Sequence, residues 1–271
     1  MSLSIQTNIA AMDAHRNLVN TSNQLSQSME RLSSGYRINS AADDAAGLAI
    51  SEKLDSQVSG LQQAQQNAQD AVSLVQTADG SLNEVQSMLQ RVRDLAVEYN
   101  NGTLSSSDQA AITNEVAQLC AEVSQIGSQT KFNGIALLSG GGAITFQVGA
   151  DDGETLSVSA LKLFGSSGTS IDSAIFSFSG STVTLASIDS AIDSVSTARA
   201  TFGAVQNRLQ HTLNNLASYS ENLSASESSI KDVDMASEMV NFTKLQVLQQ
   251  AGTAMLAQAN TSQQSVLRLL Q

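Results

Sequence analysis

Proline and tryptophan are absent from all 271 residues, and there is a single cysteine. At the usual ~5% of residues, roughly 13 prolines would be expected. One cysteine cannot close an intramolecular disulfide, which excludes a small domain held together by disulfides. Aromatic residues are few (7 Phe and 3 Tyr), so large anchors for a compact core are scarce. Basic residues are scarce as well. Thirteen Lys and Arg stand against 25 Asp and Glu, a formal charge of −12, which argues against a general nucleic-acid binder with a basic face. No apolar run approaches the ~18 residues of a membrane-spanning helix. Residues 1–20 lack the basic start and apolar block of a Sec-type signal peptide.

What remains is rich in small apolar residues. The apolar fraction is 41%, much of it Ala, Leu and Val. Without proline, that composition suits long helices packed closely along their length. From Leu54 to Val75 a seam runs through Leu54, Val58, Leu61, Gln65, Ala68, Val72 and Val75, alternating steps of four and three. This is a heptad pattern. Gln65 interrupts it, and Ala64 is placed to share that contact. The seam continues through Ala78, Leu82, Val85, Leu89, Val92 and Ala96, with two steps of three meeting at Val75 beside Asp79-Gly80. A local overwinding or bend is expected there, inside one helix over residues 42–99. At 1.5 Å per residue such a helix is roughly 85 Å long.

Asn100-Asn101-Gly102 ends that helix, and Ser105 to Asp108 supply N-cap candidates for the next. The second helix carries Ile112, Val116, Leu119, Val123 and Ile126 on one face. A third seam runs from Leu185 through Ile188, Ile192, Val195, Ala198, Phe202, Val205, Leu209, Thr212, Leu216 and Tyr219 to Leu223. Residues 131–184 alternate apolar with polar positions around turn signals such as Ala150-Asp151-Asp152-Gly153. They predict short β-hairpins with a small core of their own, including Phe176, Phe178 and Val183. The two ends, residues 1–35 and 230–271, are helical by composition but lack one clean seam. Their apolar residues cover several faces, so burial against other copies of the chain is expected.

Catalytic patterns are missing. His15 and His211 are far apart and form no HExxH motif, no lysine follows a glycine as in a Walker A loop, and there is no GxSxG elbow. Asp151-Asp152-Gly153-Glu154 lacks EF-hand spacing and is read as a solvated turn. Five Asn-x-Ser/Thr triplets, at Asn20, Asn101, Asn222, Asn241 and Asn260, are near chance in a chain so rich in Ser and Thr. Cys120, beside the Val116–Val123 seam, is read as a small buried core residue in preference to a reactive thiol. No enzyme activity, cofactor or metal is expected.

The segment from Arg31 to Ile50, RLSSGYRINSAADDAAGLAI, resembles the N-terminal signature of bacterial flagellins, as does the opening Ile5-Gln6-Thr7-Asn8-Ile9-Ala10-Ala11. Residues 230–270 resemble the flagellin C-terminus, through Thr243-Lys244, Gln249-Gln250-Ala251-Gly252, Gln258-Ala259-Asn260 and Val266-Leu267-Arg268-Leu269-Leu270. Gln129 to Gly134 and Phe146 to Ala150 are also flagellin-like. The likeness spans residues 1–160 and 183–271. Gln263 departs from it, standing where flagellins commonly have proline, so the last helix is expected to run on.

The resemblance implies a mainly α fold: a long antiparallel helical bundle with a small β-hairpin region, and N- and C-terminal helices paired as a coiled coil. Residues 1–44 and 230–271 are expected to form an inner coiled-coil domain. Residues 45–229 are expected to form the bundle, with large outer domains absent. It implies a filament subunit for swimming, exported unfolded by the flagellar type III system to an extracellular filament. Expected partners are other copies of the chain, the flagellar cap, junction proteins and an export chaperone, with no nucleic acid and no membrane. Leu245, Leu248, Met255, Leu256, Val266, Leu267, Leu269 and Leu270 are the expected polymerisation residues. Gln90, Arg91 and Leu95, with Glu115 on the next helix, resemble the patch bound by the vertebrate Toll-like receptor 5. The alternative reading is a hook–filament junction protein, which is homologous but present in few copies.

Overall fold

The computed structural model describes the backbone of residues 8–140, 142–158 and 184–269, and the side chains among these up to residue 262. In chain order the elements are α1 (Ile9–Ser34), α2 (Ala45–Tyr99), α3 (Ser106–Gln129), β1 (Lys131–Phe132), β2 (Ile135–Ala136), β3 (Ile144–Gln147), β4 (Thr155–Val158), α4 (Leu185–Lys231) and α5 (Met235–Leu269). The expected strand residues Phe176, Phe178 and Val183 lie outside the described residues. The chain divides into two compact units, Met1–Ser56 with Asn222–Gln271, and Gln57–Glu221.

In the second unit, α2 is helical without interruption through Asp79-Gly80. Its buried stripe follows the heptad seam and widens it. Val72, Val75, Ala78, Leu82, Val85, Leu89 and Val92 are buried as expected, and so are Ala71, Leu74 and Leu95. A two-helix seam is narrow, but α2 packs in one buried cluster with α3, α4 and strand residues, so more of its circumference is covered. Ala64, and not its neighbour Gln65, is buried at the interrupted position. On α4 the buried face runs from Ile188 to Leu216, whereas Tyr219, further along the same seam, is exposed.

Polar contacts set the directions of these helices. Arg93 Nε donates to Asp189 Oδ1 at 2.6 Å and Arg199 Nε to Asp79 Oδ1 at 2.9 Å, so α2 and α4 run antiparallel. Arg199 Nη1 also donates to Gln86 Oε1 at 2.7 Å. α3 starts on a capping box: Ser105 accepts from the Asp108 N–H, and the Asp108 carboxylate accepts from the Ser105 N–H at 3.1 Å and the Ser105 hydroxyl at 2.7 Å. Cys120 is buried within α3, 4% exposed, among core side chains.

The hairpins are short. β1 and β2 pair Phe132 with Ile135 across Asn133 and Gly134, whose positive φ values of 47° and 81° suit a two-residue turn. β3 and β4 pair Ile144 with Val158 through to Gln147 with Thr155. Among the described residues of this region, the apolar side chains pack with the helices. Leu137, Leu138, Leu156 and Val158 join the buried cluster of the helices, with Phe132, Phe146 and Val148 packed on it. A two-stranded hairpin has no second layer of its own, so its apolar face is covered by helices. Asn67 of α2 ties it down by donating to the Gln147 carbonyl at 3.1 Å.

Leu89 is fully buried near the middle of this cluster. Leu89→Ala is expected to destabilise the bundle by about 2–5 kcal/mol, read as a lower urea midpoint with an unchanged slope.

Candidate functional site

In the first unit, α1 and α5 pack side by side. Asn8 Nδ2 donates to the Ala259 carbonyl at 3.1 Å, Leu18 lies against Gly252, and the Ser28 hydroxyl donates to Glu238, so the pair is antiparallel. The covered seam positions on α1 are Ala11, Ala14, Leu18, Thr21, Leu25, Ser28 and Leu32, with Ser22 and Arg31 partly covered beside them. Those on α5 are Glu238, Phe242, Leu245, Gln249, Gly252, Leu256 and Ala259. Both sets alternate steps of three and four. The ends therefore do possess a heptad seam, contrary to expectation from the sequence. The sequence hides it because Ala, Thr, Ser, Gln, Gly and Glu interrupt its leucines, while many other large apolar residues lie on the remaining faces.

That outward apolar surface is the main feature of the site. Among the described residues, Ser28 is the only buried side chain on α1, and α5 has none. Ile9, Met12, Val19 and Met29 are exposed on α1, and Met235, Met239, Val240, Val247, Leu248 and Met255 on α5. Val240 is 67% and Val247 63% exposed. Of the expected polymerisation residues, Leu245 and Leu256 are half-buried on the inner seam, while Leu248 and Met255 are exposed. The side chains of Val266, Leu267, Leu269 and Leu270 lie outside the described residues.

Two linkers close the other end of the pair. The Arg37 N–H donates to the Lys231 carbonyl at 2.7 Å and the Val233 N–H to the Gly35 carbonyl at 3.0 Å. Tyr36 and Asp232 thus form an antiparallel bridge, with the Lys231 ammonium 4.7 Å from the Tyr36 ring centroid. Arg37 Nη2 donates to the Ile230 carbonyl at 2.6 Å.

The receptor-patch positions fall on the second unit. Arg91 donates through Nε and Nη2 to Glu115 Oε1 at 2.9 and 2.7 Å, joining α2 to α3 in an exposed ion pair. Gln90 is exposed beside it. Leu95 corrects the expectation: it is 2% exposed and belongs to the core. It sits four residues from Arg91, a little over one helical turn, on the broadened inward stripe of α2, so its side chain is not available to an outside partner in this arrangement. His15 and His211 are exposed on separate helices, and no group of three or more His, Cys, Asp or Glu is placed to hold a metal among the described residues.

The family model for the bacterial flagellin N-terminal helical region matches residues 5–143, and that for the C-terminal helical region matches residues 185–270. The chain belongs to the bacterial flagellin family. It is 48% identical over 269 residues to a flagellin of Halalkalibacterium halodurans, covering 98% of this chain and 99% of that one. A flagellar filament 33 kDa core protein of Treponema phagedenis is 43% identical and a flagellin of Bacillus subtilis 42% identical, each over 98% of this chain and 99% of its own length. Flagellins are structural proteins, and this one is a short member of the family.

The flagellin signature from Arg31 to Ile50 has a physical account here. Gly35 ends α1 in the left-handed region, φ 77°, with its N–H on the Arg31 carbonyl. Ile38 is buried at 2%. The Asp43 carboxylate gathers the turn: it accepts from Gln27 Nε2 at 2.8 Å, the Ser40 hydroxyl at 3.0 Å, and the Ser40 and Asn39 N–H groups at 3.1 and 3.3 Å. Arg31 Nη2 lies 3.8 Å away. Asp44 then caps α2 by accepting from the Gly47 N–H at 2.9 Å. A Cβ at Gly47 would lie 2.5 Å from the Asp44 carboxylate and 2.7 Å from Ile38 Cδ1, so a side chain there would displace the helix cap or the buried Ile38 tip. Past the signature, α5 runs through Gln263 to Leu269, as expected where no proline intervenes.

The Gln27 hydrogen bond, followed by those from Ser40 and Asn39, holds the Asp43 carboxyl below the usual carboxylate range, against a smaller opposing effect of burial. Ser105 does the same for Asp108 at the α3 cap. A carboxyl that titrates lower when folded adds stability above its unfolded value, ~3.9, and loses it as pH falls through the lower folded value. Asp43→Asn and Asp108→Asn are expected to flatten the acid limb of unfolding below about pH 4, measured by far-UV circular dichroism. An unchanged acid limb in both variants would reject this assignment.

Proposed function

We propose that this flagellin is the subunit of a bacterial flagellar filament, polymerising helically with other copies of itself for swimming. The observation that carries the reading is the paired terminal helices, which keep ten large apolar side chains exposed outside a shared seam that mixes leucines and Phe242 with small and polar residues. Covering one such side chain contributes about 1.5–3 kcal/mol. Two helices side by side cannot cover one another's outer faces, and neighbouring copies can. A surface that fits a different surface on the next copy makes a heterologous contact, which propagates as a fibre when the rotation does not close. Ordering the terminal segments costs about 1–2 kcal/mol per residue, so growth on an existing end is favoured over nucleation.

The location is the extracellular filament, reached by passage unfolded through the flagellar type III channel with an export chaperone. The cap and junction proteins meet the same terminal helices at the filament ends. The chain has only Cys120 and no proline, so neither disulfide formation nor prolyl isomerisation slows its refolding after transit. The Arg91–Glu115 pair with Gln90 is the patch offered to Toll-like receptor 5. An exposed guanidinium already oriented by a carboxylate is suited to planar, bidentate contacts.

Purified chain added to sheared filament ends is expected to extend them into long uniform tubes in negative-stain electron micrographs. Val247→Asp places a charge at a residue that is 63% exposed. It should leave bundle unfolding unchanged and slow extension by at least about tenfold, the effect of ~1.4 kcal/mol. Persistent monomers of the wild-type chain would reject the filament reading.

For the receptor patch, Arg91→Ala is expected to lower signalling by monomeric chain about tenfold or more, consistent with loss of an anchor worth ~1.4 kcal/mol. Leu95→Ala should act on bundle stability. Equal signalling by wild-type and Arg91→Ala monomers in a receptor reporter assay would remove this patch from the proposal.

A further inference from the structure

The chain has seven methionines, and their placement is uneven. Five lie exposed on the terminal pair: Met12 at 64%, Met29 at 49%, Met235 at 47%, Met239 at 48% and Met255 at 64%. Met88 is half-buried against the core of the second unit, and Met1 lies outside the described residues. Half of the ten large apolar side chains exposed on α1 and α5 are therefore thioethers. A thioether is flexible and polarisable, which suits a surface that must pack against several neighbours. It also differs from Leu, Val and Ile in being readily oxidised.

We propose that these five methionines form a reversible oxidation site that switches the subunit out of assembly. The proposal rests on the assembly reading above. The oxidant is a peroxide. A sulfur lone pair attacks one peroxide oxygen, the S–O bond forms as the O–O bond breaks, and the departing hydroxide takes the remaining proton and leaves as water. Sulfur is oxidised by two electrons and the peroxide is reduced by two. The product sulfoxide is polar and chiral. On an exposed face it is hydrated, so the free subunit keeps its fold. Covered by a neighbouring copy, the same oxygen loses its water and needs a hydrogen-bond donor that an apolar contact does not supply. Oxidation before assembly therefore removes the subunit from growth, and the assembled surface shields the sulfur. Sulfoxide reductases restore the thioether.

The test treats full-length monomer briefly with hydrogen peroxide and maps sulfoxides by peptide mass spectrometry. The five exposed methionines are expected to oxidise several-fold faster than Met88, with no change in bundle unfolding. Oxidised chain should extend sheared filament ends at least tenfold more slowly, and treatment with methionine sulfoxide reductases of both stereospecificities should restore extension. A variant carrying Met12→Leu, Met29→Leu, Met235→Leu, Met239→Leu and Met255→Leu is compared with its own untreated sample, and the treated-to-untreated ratio should stay within twofold. Fully oxidised wild-type chain that extends ends as fast as untreated chain overturns the proposal, as does Met88 oxidising alongside the five. If untreated chain fails to extend ends, the assembly reading fails. The oxidation order on the monomer still decides whether the five form a distinct site.

Discussion

Two helices lying side by side have no interior. Each covers one stripe of the other and leaves most of its circumference open, however well the stripe is packed. The rest of the first unit depends on this limit. Its seam alternates Leu18, Leu25, Leu32, Phe242, Leu245 and Leu256 with small or polar residues such as Ala11, Ala14, Thr21, Ser28, Gln249, Gly252 and Ala259 that bring the backbones close, and none of the large ones is fully buried. Ten other large apolar residues face outward, where a monomer leaves them in water. An arrangement of this kind sets direction and register through specific contacts, such as Asn8 with Ala259 and Leu18 with Gly252. It leaves the main hydrophobic driving force for contacts between molecules.

The second unit handles the same sequence chemistry differently. Three helices and two hairpins surround one cluster, so α2 buries side chains that a paired helix would leave exposed. Leu74 and Leu95 are buried for that reason, and Leu95 is lost to any external partner. Charged contacts then lie at the rim of the cluster. Arg93, Arg199 and Arg91 each bridge from one helix to another at partly or well exposed positions. Pairs of this kind contribute little to stability individually, but they hold antiparallel helices at a defined register.

The signature between α1 and α2 links these ideas. It is a turn in which one carboxylate, Asp43, satisfies several donors, one glycine makes room for Ile38, and a second carboxylate caps the following helix. Such a segment tolerates few substitutions because its residues meet distinct steric and hydrogen-bonding demands within a few positions. That is why it reads so clearly as a family mark, although it carries no catalytic chemistry.

Much of the architecture was legible in the residues. Period and composition determined the long helices, because apolar spacing of three and four over many turns has few other solutions. The Ser105 cap, the β3–β4 hairpin and the burial of Cys120 followed from local rules in the same way. The terminal seam was not legible, since Ala, Ser, Gln and Gly positions carry no hydrophobic signal even when a neighbour covers them. The width of the α2 stripe, the inward position of Leu95, the Arg91–Glu115 pair and the sharing of one core by hairpins and helices were decided only by tertiary structure. Each depends on how many neighbours surround an element and which distant residues they bring. Local sequence encodes the period of a helix, but the covered fraction of its circumference belongs to the packing.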